Sequence, residues 1–363
     1  VTDDSPARYA YDLRQSRVVF APDALHEIAK ELDTLGVSRA FVLSTRGRLA
    51  SLPPLDELLP GKLAGVFEAS VEHVPVETVA AARADFDRAH ADVCVSIGGG
   101  SAIGLGKILA RDTGVPLVAV PTTYSGSEMT SIWGITDEKG KRTGRDPRAA
   151  PRVVIYDPRL TLGLSREVSA ASGMNALAHA VEAMYASNAS PMALAIAEES
   201  VRLLTDALPS VVANPHELEA RIRALSGAHL AGRALDLAAM GLHHRLCHVL
   251  GGTFGLPHAR THAALLPYVL AFNAPAVPGA MLRLARAMGG GDAVSSVAAL
   301  GRTLGVAVSL ADSGLRAEDV ERAAEEAVAG TYGNARPASV QDVQTILMAA
   351  LRPSHRAAME WPS

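Results

Sequence analysis

Asp92-Val-Cys-Val-Ser-Ile97, followed at once by Gly98-Gly-Gly-Ser-Ala-Ile-Gly-Leu-Gly-Lys107, is the stretch on which the fold turns. A short apolar run bounded by glycine reads as a buried strand. The glycine turn behind it opens a segment with helical spacing, so strand, tight turn and helix start come in that order. Glycine lets backbone come close to a phosphate, and the exposed N–H groups and dipole from Ser101 onward favour its negative charge. The carboxyl end of such a strand is where parallel sheets bind nucleotides. The pattern is not GxGxxG, so the ordinary Rossmann fingerprint does not apply, and a plain tight turn is the alternative.

Upstream, Arg17-Val-Val-Phe-Ala reads as a strand, Ala24 to Leu35 as a helix stopped by Gly36, and Arg39-Ala-Phe-Val-Leu-Ser-Thr as a buried strand. A weaker helix is expected from Leu49 to Leu59, a strand over Leu63-Ala-Gly-Val-Phe and an amphipathic helix from Val76 to His90. Downstream, the strand Pro116-Leu-Val-Ala-Val-Pro121 runs into the polar loop Thr122-Thr-Tyr-Ser-Gly-Ser-Glu-Met-Thr-Ser131. Lys139-Gly-Lys-Arg-Thr-Gly-Arg145 reads as a basic turn, and Val153-Val-Ile-Tyr-Asp157 as the last strand. This alternation predicts a mostly parallel sheet with helices on both faces.

From Ser165 the chain reads as helices alone, at about Val168 to Ala186, Pro191 to Ala213, Leu218 to Ala234, Leu242 to Leu250 and Thr261 to Phe272, and on to Val340 to Leu351. The expected fold is therefore an α/β N-terminal domain over 1–160 and an all-α C-terminal domain over 161–363, with a cleft between them. At 363 residues, 48% hydrophobic and 20% charged, the chain has material for two cores. A net charge of -4 without a basic, aromatic-interleaved cluster argues against nucleic acid. Cys94 and Cys247 form no CxxC pair, no run reaches a membrane span, and the N-terminus lacks a signal layout, so a reduced, cytoplasmic setting is expected.

The helical half concentrates its chemistry in Gly241-Leu-His-His-Arg-Leu-Cys-His-Val-Leu-Gly-Gly-Thr-Phe-Gly-Leu-Pro-His-Ala-Arg-Thr-His262, which holds five of the 12 histidines. His244 and His248 are four apart and point from one helix face, with His243 about 100° round. The glycines and Pro257 are expected to end that helix, with His258 following. Upstream, Asn175 and His179 repeat the i, i+4 spacing. A single such histidine is most simply a hydrogen-bonded core residue, whereas the set reads as a site.

Taken together, Gly98-Gly-Gly-Ser, Pro121-Thr-Thr-Tyr-Ser-Gly-Ser-Glu, the Asn175/His179 helix and the His244-to-His258 spacing resemble the iron-containing alcohol dehydrogenase superfamily. Within it, Met-Thr-Ser-Ile-Trp-Gly in the stretch 124–136, Thr143-Gly-Arg-Asp-Pro147, Ser172-Gly-Met-Asn175 and His243-His-Arg-Leu-Cys-His248 are similar to the maleylacetate reductases. The resemblance runs from about residue 10 to 355. It implies a dinucleotide-binding N-terminal domain, a helical catalytic domain and an active site between them. Gly99, Gly100 and Ser101 would hold the cofactor pyrophosphate, Thr122, Thr123 and Ser127 would line the cofactor site, and Lys141 would reach the ribose region. Ser44 and Thr45 would lie at the adenosine ribose, and without an Asp there NADH and NADPH both stay open.

Metal-dependent members use one Asp and three His, and the matching positions here are Asn175, His179, His244 and His258. Asparagine removes the only anionic ligand, so no metal is expected. The resemblance implies reduction of a carbon–carbon double bond conjugated with a ketone in a small dianionic acid, yielding 3-oxoadipate in the breakdown of aromatic compounds. Hydride addition β to the ketone leaves an enolate, for which His243 and His244 are the candidate donors and proton source, with His179, His248 and His258 supporting. Tyr124, Arg142 and Arg145 are candidates for the carboxylates. A homodimer is the family expectation. Rival readings are another reductase or a metal-dependent alcohol dehydrogenase on the same scaffold, a sugar-phosphate cyclase, and a binding module without turnover.

Overall fold

The computed structural model describes Tyr9, Tyr11 and residues 16–351 apart from 139, 307, 308 and 331. The described chain divides into two compact units at Gly163–Leu164. The first carries β1 (Arg17–Phe20), α1 (Ile28–Leu35), β2 (Ala40–Leu43), the short helices α2 (Arg46–Leu49) and α3 (Leu55–Leu58), β3 (Leu63–Phe67), α4 (Val76–Ala89), β4 (Val93–Gly98), α5 (Gly100–Thr113), β5 (Leu117–Pro121), β6 (Ile132–Asp137), β7 (Gly140–Arg145) and β8 (Val153–Tyr156). Six strands form one sheet in the order β1-β8-β5-β4-β2-β3, with every pairing parallel.

Both faces of that sheet are buried, which is why its strands read as continuous apolar runs and not as alternation. Val93, Val95 and Ile97 of β4 join Ile28 and Leu32 of α1 on one face. Cys94 joins Phe86 of α4 and Leu105, Ile108 and Leu109 of α5 on the other. Two expectations need correction here. The weak helix at Leu49 to Leu59 is two four-residue helices, because Pro53 and Pro54 interrupt the ladder. The basic turn is no turn: Gly140–Arg145 is strand β7, paired antiparallel with β6, and Lys139 lies outside the described residues. Its partner strand carries half-buried Trp133 and buried Ile135, whose packing against α5 and the β-sheet face outweighs the polar composition of β7.

The second unit contains α6 (Arg166–Met184), α7 (Pro191–Ala213), α8 (Leu218–Leu237), α9 (Leu242–Thr253), α10 (His258–Asn273), α11 (Pro278–Ala287), α12 (Ala293–Thr303), α13 (Val320–Ala329) and α14 (Val340–Leu351). From Ser169 to Met184 every residue of α6 is buried. A helix apolar all round is the centre of a bundle, and α6 packs on α7, α8 and α10. A second apolar cluster joins α9, α10, α13 and α14. The glycines at 251 and 252 do not stop α9, which runs on to Thr253; the left-handed Gly255, at φ 71°, and Pro257 make the turn into α10. No helix among the described residues is long and apolar enough to cross a membrane.

Candidate active site

The α/β unit presents its polar residues at the carboxyl edge of the sheet. Leu43 pairs with Ser96 and Gly98 with Pro121, so the chain leaves β2, β4 and β5 side by side, where Ser44, Gly99 and Thr122 follow. Gly99 is the N-cap of α5 and offers no capping side chain. A Cβ on Gly99 would lie 3.0 Å from Thr123 Cγ2 and 3.1 Å from Thr123 Oγ1, so glycine is what lets the two loops approach. Thr122 N–H donates to the Gly98 carbonyl at 3.0 Å. Gly100 is exposed and Ser101 half-buried, which leaves the uncapped first turn of a fourteen-residue helix open to an anion.

Lys107, one turn beyond Ile103 on the buried side of α5, was given no role by its sequence. It is fully buried, and its Nζ donates to the Ser127 carbonyl, to Ser127 Oγ at 3.2 Å, to Thr130 Oγ1 at 2.8 Å and to the Ile132 carbonyl at 2.8 Å. The helix that starts at the glycine turn thereby pins the loop from 122 to 131. Glu128 is buried in the same loop and accepts from the Tyr156 hydroxyl at 2.8 Å; burial pushes its carboxyl up, with the Lys107 charge pulling the other way. The signal in the sequence was a lone lysine at i+4 from a buried isoleucine.

Other expected cofactor and substrate residues are placed unevenly. Ser44 is fully buried and its hydroxyl donates to the Ile97 carbonyl at 2.6 Å, so it joins β2 to β4 and offers no hydroxyl to a ligand. Thr45 caps α2 by accepting from Arg48 N–H. Ser127 is engaged by Lys107, and Tyr124 is fully buried. Lys141, Arg142 and Arg145 lie on β7; Arg142 is exposed and paired with Asp137 at 3.0 Å.

In the helical unit the histidines do converge. His179 stacks on His244 with ring centroids 4.9 Å apart, His244 and His262 are 4.8 Å apart, His243 and His262 4.8 Å, and His258 and His262 4.4 Å. His248 lies 6.4 Å from both His244 and His258. His179, His243, His244 and His262 are buried, whereas His248 and His258 are half-buried. Asn175 is buried one turn before His179 on α6. His262 is not among the residues to which the sequence assigns a role, and the helix expected there starts at Thr261. Since α10 begins at His258, positions 258 and 262 share one helix face and both reach the cluster.

Glu182 is the other residue the sequence reading left out, although it sits at i+3 from His179. It is fully buried; its Oε1 accepts from the His243 backbone N–H at 3.0 Å, and its Oε2 is hydrogen-bonded to His244 Nδ1. The carboxylate therefore stands at the N-terminus of α9, where free N–H groups and the helix dipole favour it. Glycine at 241 makes the approach possible, for a Cβ there would lie 3.1 Å from Glu182 Oε1 and 2.8 Å from the Gly333 carbonyl. Burial pushes the Glu182 carboxyl up to about 6, against the pull of His243 and the backbone N–H groups.

Burial also lowers the imidazoles: His243 and His244 to about 3, His179 and His262 well below the ordinary value, the last two pushed further by neighbouring rings. At neutral pH the rings are neutral beside an ionised Glu182. That carboxylate accepts from Nδ1–H of His244 and leaves its Nε2 as the free lone pair. His244 Nε2, His179 Nδ1 and His262 Nε2 have no hydrogen-bond partner among the described residues. Buried polar atoms without a partner are uncommon in folded proteins and mark this cluster out from the rest of the core. His243 Nε2, by contrast, is bonded to His262 Nδ1 at 3.0 Å.

Residues 15–158 match the family described as iron-containing alcohol dehydrogenase, and residues 169–351 match the C-terminal region of the Fe-containing alcohol dehydrogenase family. The maleylacetate reductase of Sphingobium indicum is 46% identical over 344 residues, which cover 95% of this chain and 97% of that protein. Maleylacetate reductase 2 of Cupriavidus pinatubonensis is 47% identical over 341 residues, covering 92% and 94%. The crystal structure of maleylacetate reductase from a Rhizobium species superposes with a TM-score of 0.90 at 42% identity, covering 95% of this chain and 98% of that one.

Proposed function

Because the chain belongs to the iron-containing alcohol dehydrogenase family, and is an oxidoreductase, we propose that it reduces maleylacetate to 3-oxoadipate with NADH or NADPH and without a bound metal. The observation that carries the reading is His244, held by buried Glu182 and presenting an unpartnered Nε2 within a cluster of neutral imidazoles.

The positions that the family resemblance assigns to a metal do not suit iron. Asn175 replaces the anionic ligand, leaving a neutral amide and three imidazoles. The carboxylate closest in role, Glu182, is spent on His244 and the α9 backbone.

For the nucleotide the residues fit. Backbone N–H groups of Gly100 and Ser101 bind the pyrophosphate, and the loop from Thr122 to Ser127, held by Lys107, lines the remainder. When bound, the reduced nicotinamide supplies hydride to the substrate carbon β to the ketone. Charge then develops on the ketone oxygen, and the histidines must meet it. Binding of a dianion raises the proton affinity of the buried rings, so His244 takes up a proton at Nε2 while Glu182 stabilises the imidazolium through Nδ1–H. That Nε2–H donates to the developing enolate and the proton passes to the carbon α to the ketone, completing addition of one hydride and one proton. His179 and His262 flank His244 and keep water from its ring, His248 and His258 line the half-buried side, and Asn175 offers an amide without adding charge. Arg142, Arg145 and Tyr124 are the remaining candidates for the substrate carboxylates.

The test mixes chelator-treated protein with fresh maleylacetate and NADH, then NADPH, following nicotinamide absorbance and identifying the product. Rapid oxidation unaffected by the chelator, with 3-oxoadipate formed, supports the reading; activity that appears only with added Fe²⁺ or Zn²⁺ would sink its metal-free part. A homodimer and a cytoplasmic setting belong to the same proposal, to be checked by sedimentation and fractionation.

A further inference from the structure

His243 Nε2, Cys247 Sγ and His262 Nδ1 lie within 4.8 Å of one another, and all three residues are fully buried. We propose that these side chains form a binding site for a thiophilic divalent cation of the zinc class, and that filling it inhibits the enzyme. This set differs from the four positions rejected for iron: it shares no residue with them and it contains a thiol. Only the inhibition rests on the proposed function; the binding does not.

Two imidazoles and a thiolate are a donor set that zinc and its softer congeners favour over magnesium, calcium or manganese. His243 and Cys247 are one helical turn apart on α9, and His262 comes from α10, so the ligands are carried on two packed helices. The two nitrogens are 3.0 Å apart, and Cys247 Sγ is 3.8 Å from His243 Nε2. Tetrahedral zinc with ordinary Zn–N and Zn–S bonds needs roughly 3.3 Å between two nitrogens and roughly 3.6 Å between nitrogen and sulfur. The third edge, between Cys247 and His262, lies within 4.8 Å, and side-chain rotation that draws it in completes the three-point face.

The protons balance without strain. One N–H now lies between His243 Nε2 and His262 Nδ1. The other nitrogen of each ring, His243 Nδ1 and His262 Nε2, has no hydrogen-bond partner among the described residues, so the ring that carries the proton can switch tautomer and give up nothing there. Cys247 loses its thiol proton to solvent, so one proton leaves per cation bound and no electron moves. Half-buried His258 is the less enclosed neighbour of the site, its ring 4.4 Å from that of His262. A cation at this point stands beside His244, whose ring centroid is 5.6 Å from that of His243 and 4.8 Å from that of His262. Ligation turns the His243 and His262 rings that pack against His244, and so displaces the ring to which the proposed function gives the proton transfer.

The chelator-treated protein is titrated with Co²⁺ and then Zn²⁺, and nicotinamide oxidation is followed in parallel. One equivalent of Co²⁺ should produce an intense thiolate-to-cobalt charge-transfer absorption, Zn²⁺ should abolish it by displacement, and Zn²⁺ should slow turnover reversibly. Cys247→Ser, which keeps the side-chain volume, and Cys247→Ala should lose the absorption and weaken Zn²⁺ binding by roughly a hundredfold, with metal-free activity retained. Absence of the absorption from the unsubstituted protein, or Zn²⁺ binding and inhibition unchanged in both variants, would overturn the site. The wild-type cobalt spectrum decides the matter even if a variant does not fold. Activation by Zn²⁺ in place of inhibition would overturn the inhibitory role and the metal-free reading together, while the cobalt absorption still decides whether Cys247 is a ligand.

Discussion

Glu182 shows how much a single buried carboxylate can organise. It caps α9 through the His243 backbone and orients His244 through Nδ1, so the helix start and the ring proposed to transfer the proton are set by one group. Glu182→Gln keeps the shape and removes the charge that stabilises an imidazolium. The expected result is a fall in kcat of about a hundredfold with little change in the KM for the nicotinamide nucleotide; steady-state kinetics with unchanged kcat would reject the role given to Glu182. Lys107 is the counterpart in the α/β unit, joining α5 to Ser127 and Thr130 of the loop that follows β5 and to the first residue of β6. Lys107→Met should raise the KM for the nucleotide by roughly tenfold and affect kcat less, and equal losses in both constants would show that the loop does more than hold the cofactor.

At the scale of elements, α6, α9 and α10 form one acid-sensitive unit. They bury His179, His243, His244 and His262 in neutral form, with every one of these rings lowered from the ordinary 6.5. As pH falls through 6.5 toward about 3, the unfolded chain takes up protons that the folded rings refuse, so stability is lost over that window. Glu182 works in the opposite sense, because its carboxyl is raised from 4.5 to about 6 and the folded state binds that proton more tightly. Four rings against one carboxyl leave a net loss. Thermal unfolding should therefore begin at lower temperature at pH 5.5 than at pH 7.5, and a Tm that held or rose on acidification would contradict burial of neutral imidazoles. The same elements explain what sequence spacing hid. Beginning α10 at His258 and not at Thr261 changes which imidazoles share a face, and a shift of three residues at a helix start brought His262 into the cluster.

Over the whole molecule the proposed function divides the work between the two units, the α/β unit for the nucleotide and the helical unit for proton chemistry. Hydrogen–deuterium exchange with and without NADH or NADPH should show protection gathered at residues 98–104 and 122–131; protection absent from both stretches would remove the phosphate role from the start of α5. Much of this was legible in the chain itself. The strand Val93–Gly98 with its glycine turn, the parallel alternation and the run of helices after Ser165 follow from local pattern, because a strand buried on both faces and a helix with periodic apolar residues each announce themselves over a few residues. The histidine set was legible as a concentration, and its convergence as the i, i+4 spacing of Asn175 and His179 and of His244 and His248. The hairpin strand Gly140–Arg145 was not, since its pairing depends on Ile132–Asp137 and its polar residues carry no strand signature. Ser44 also looked available until the Ile97 carbonyl was found to hold its hydroxyl. Which carboxylate meets which imidazole, which lysine fastens the loop and which thiol faces two rings were decided only by tertiary packing. The lysine with its loop and the carboxylate with its imidazole lie 20 to 62 residues apart, and the buried environment that sets their protonation exists only once the helices are assembled.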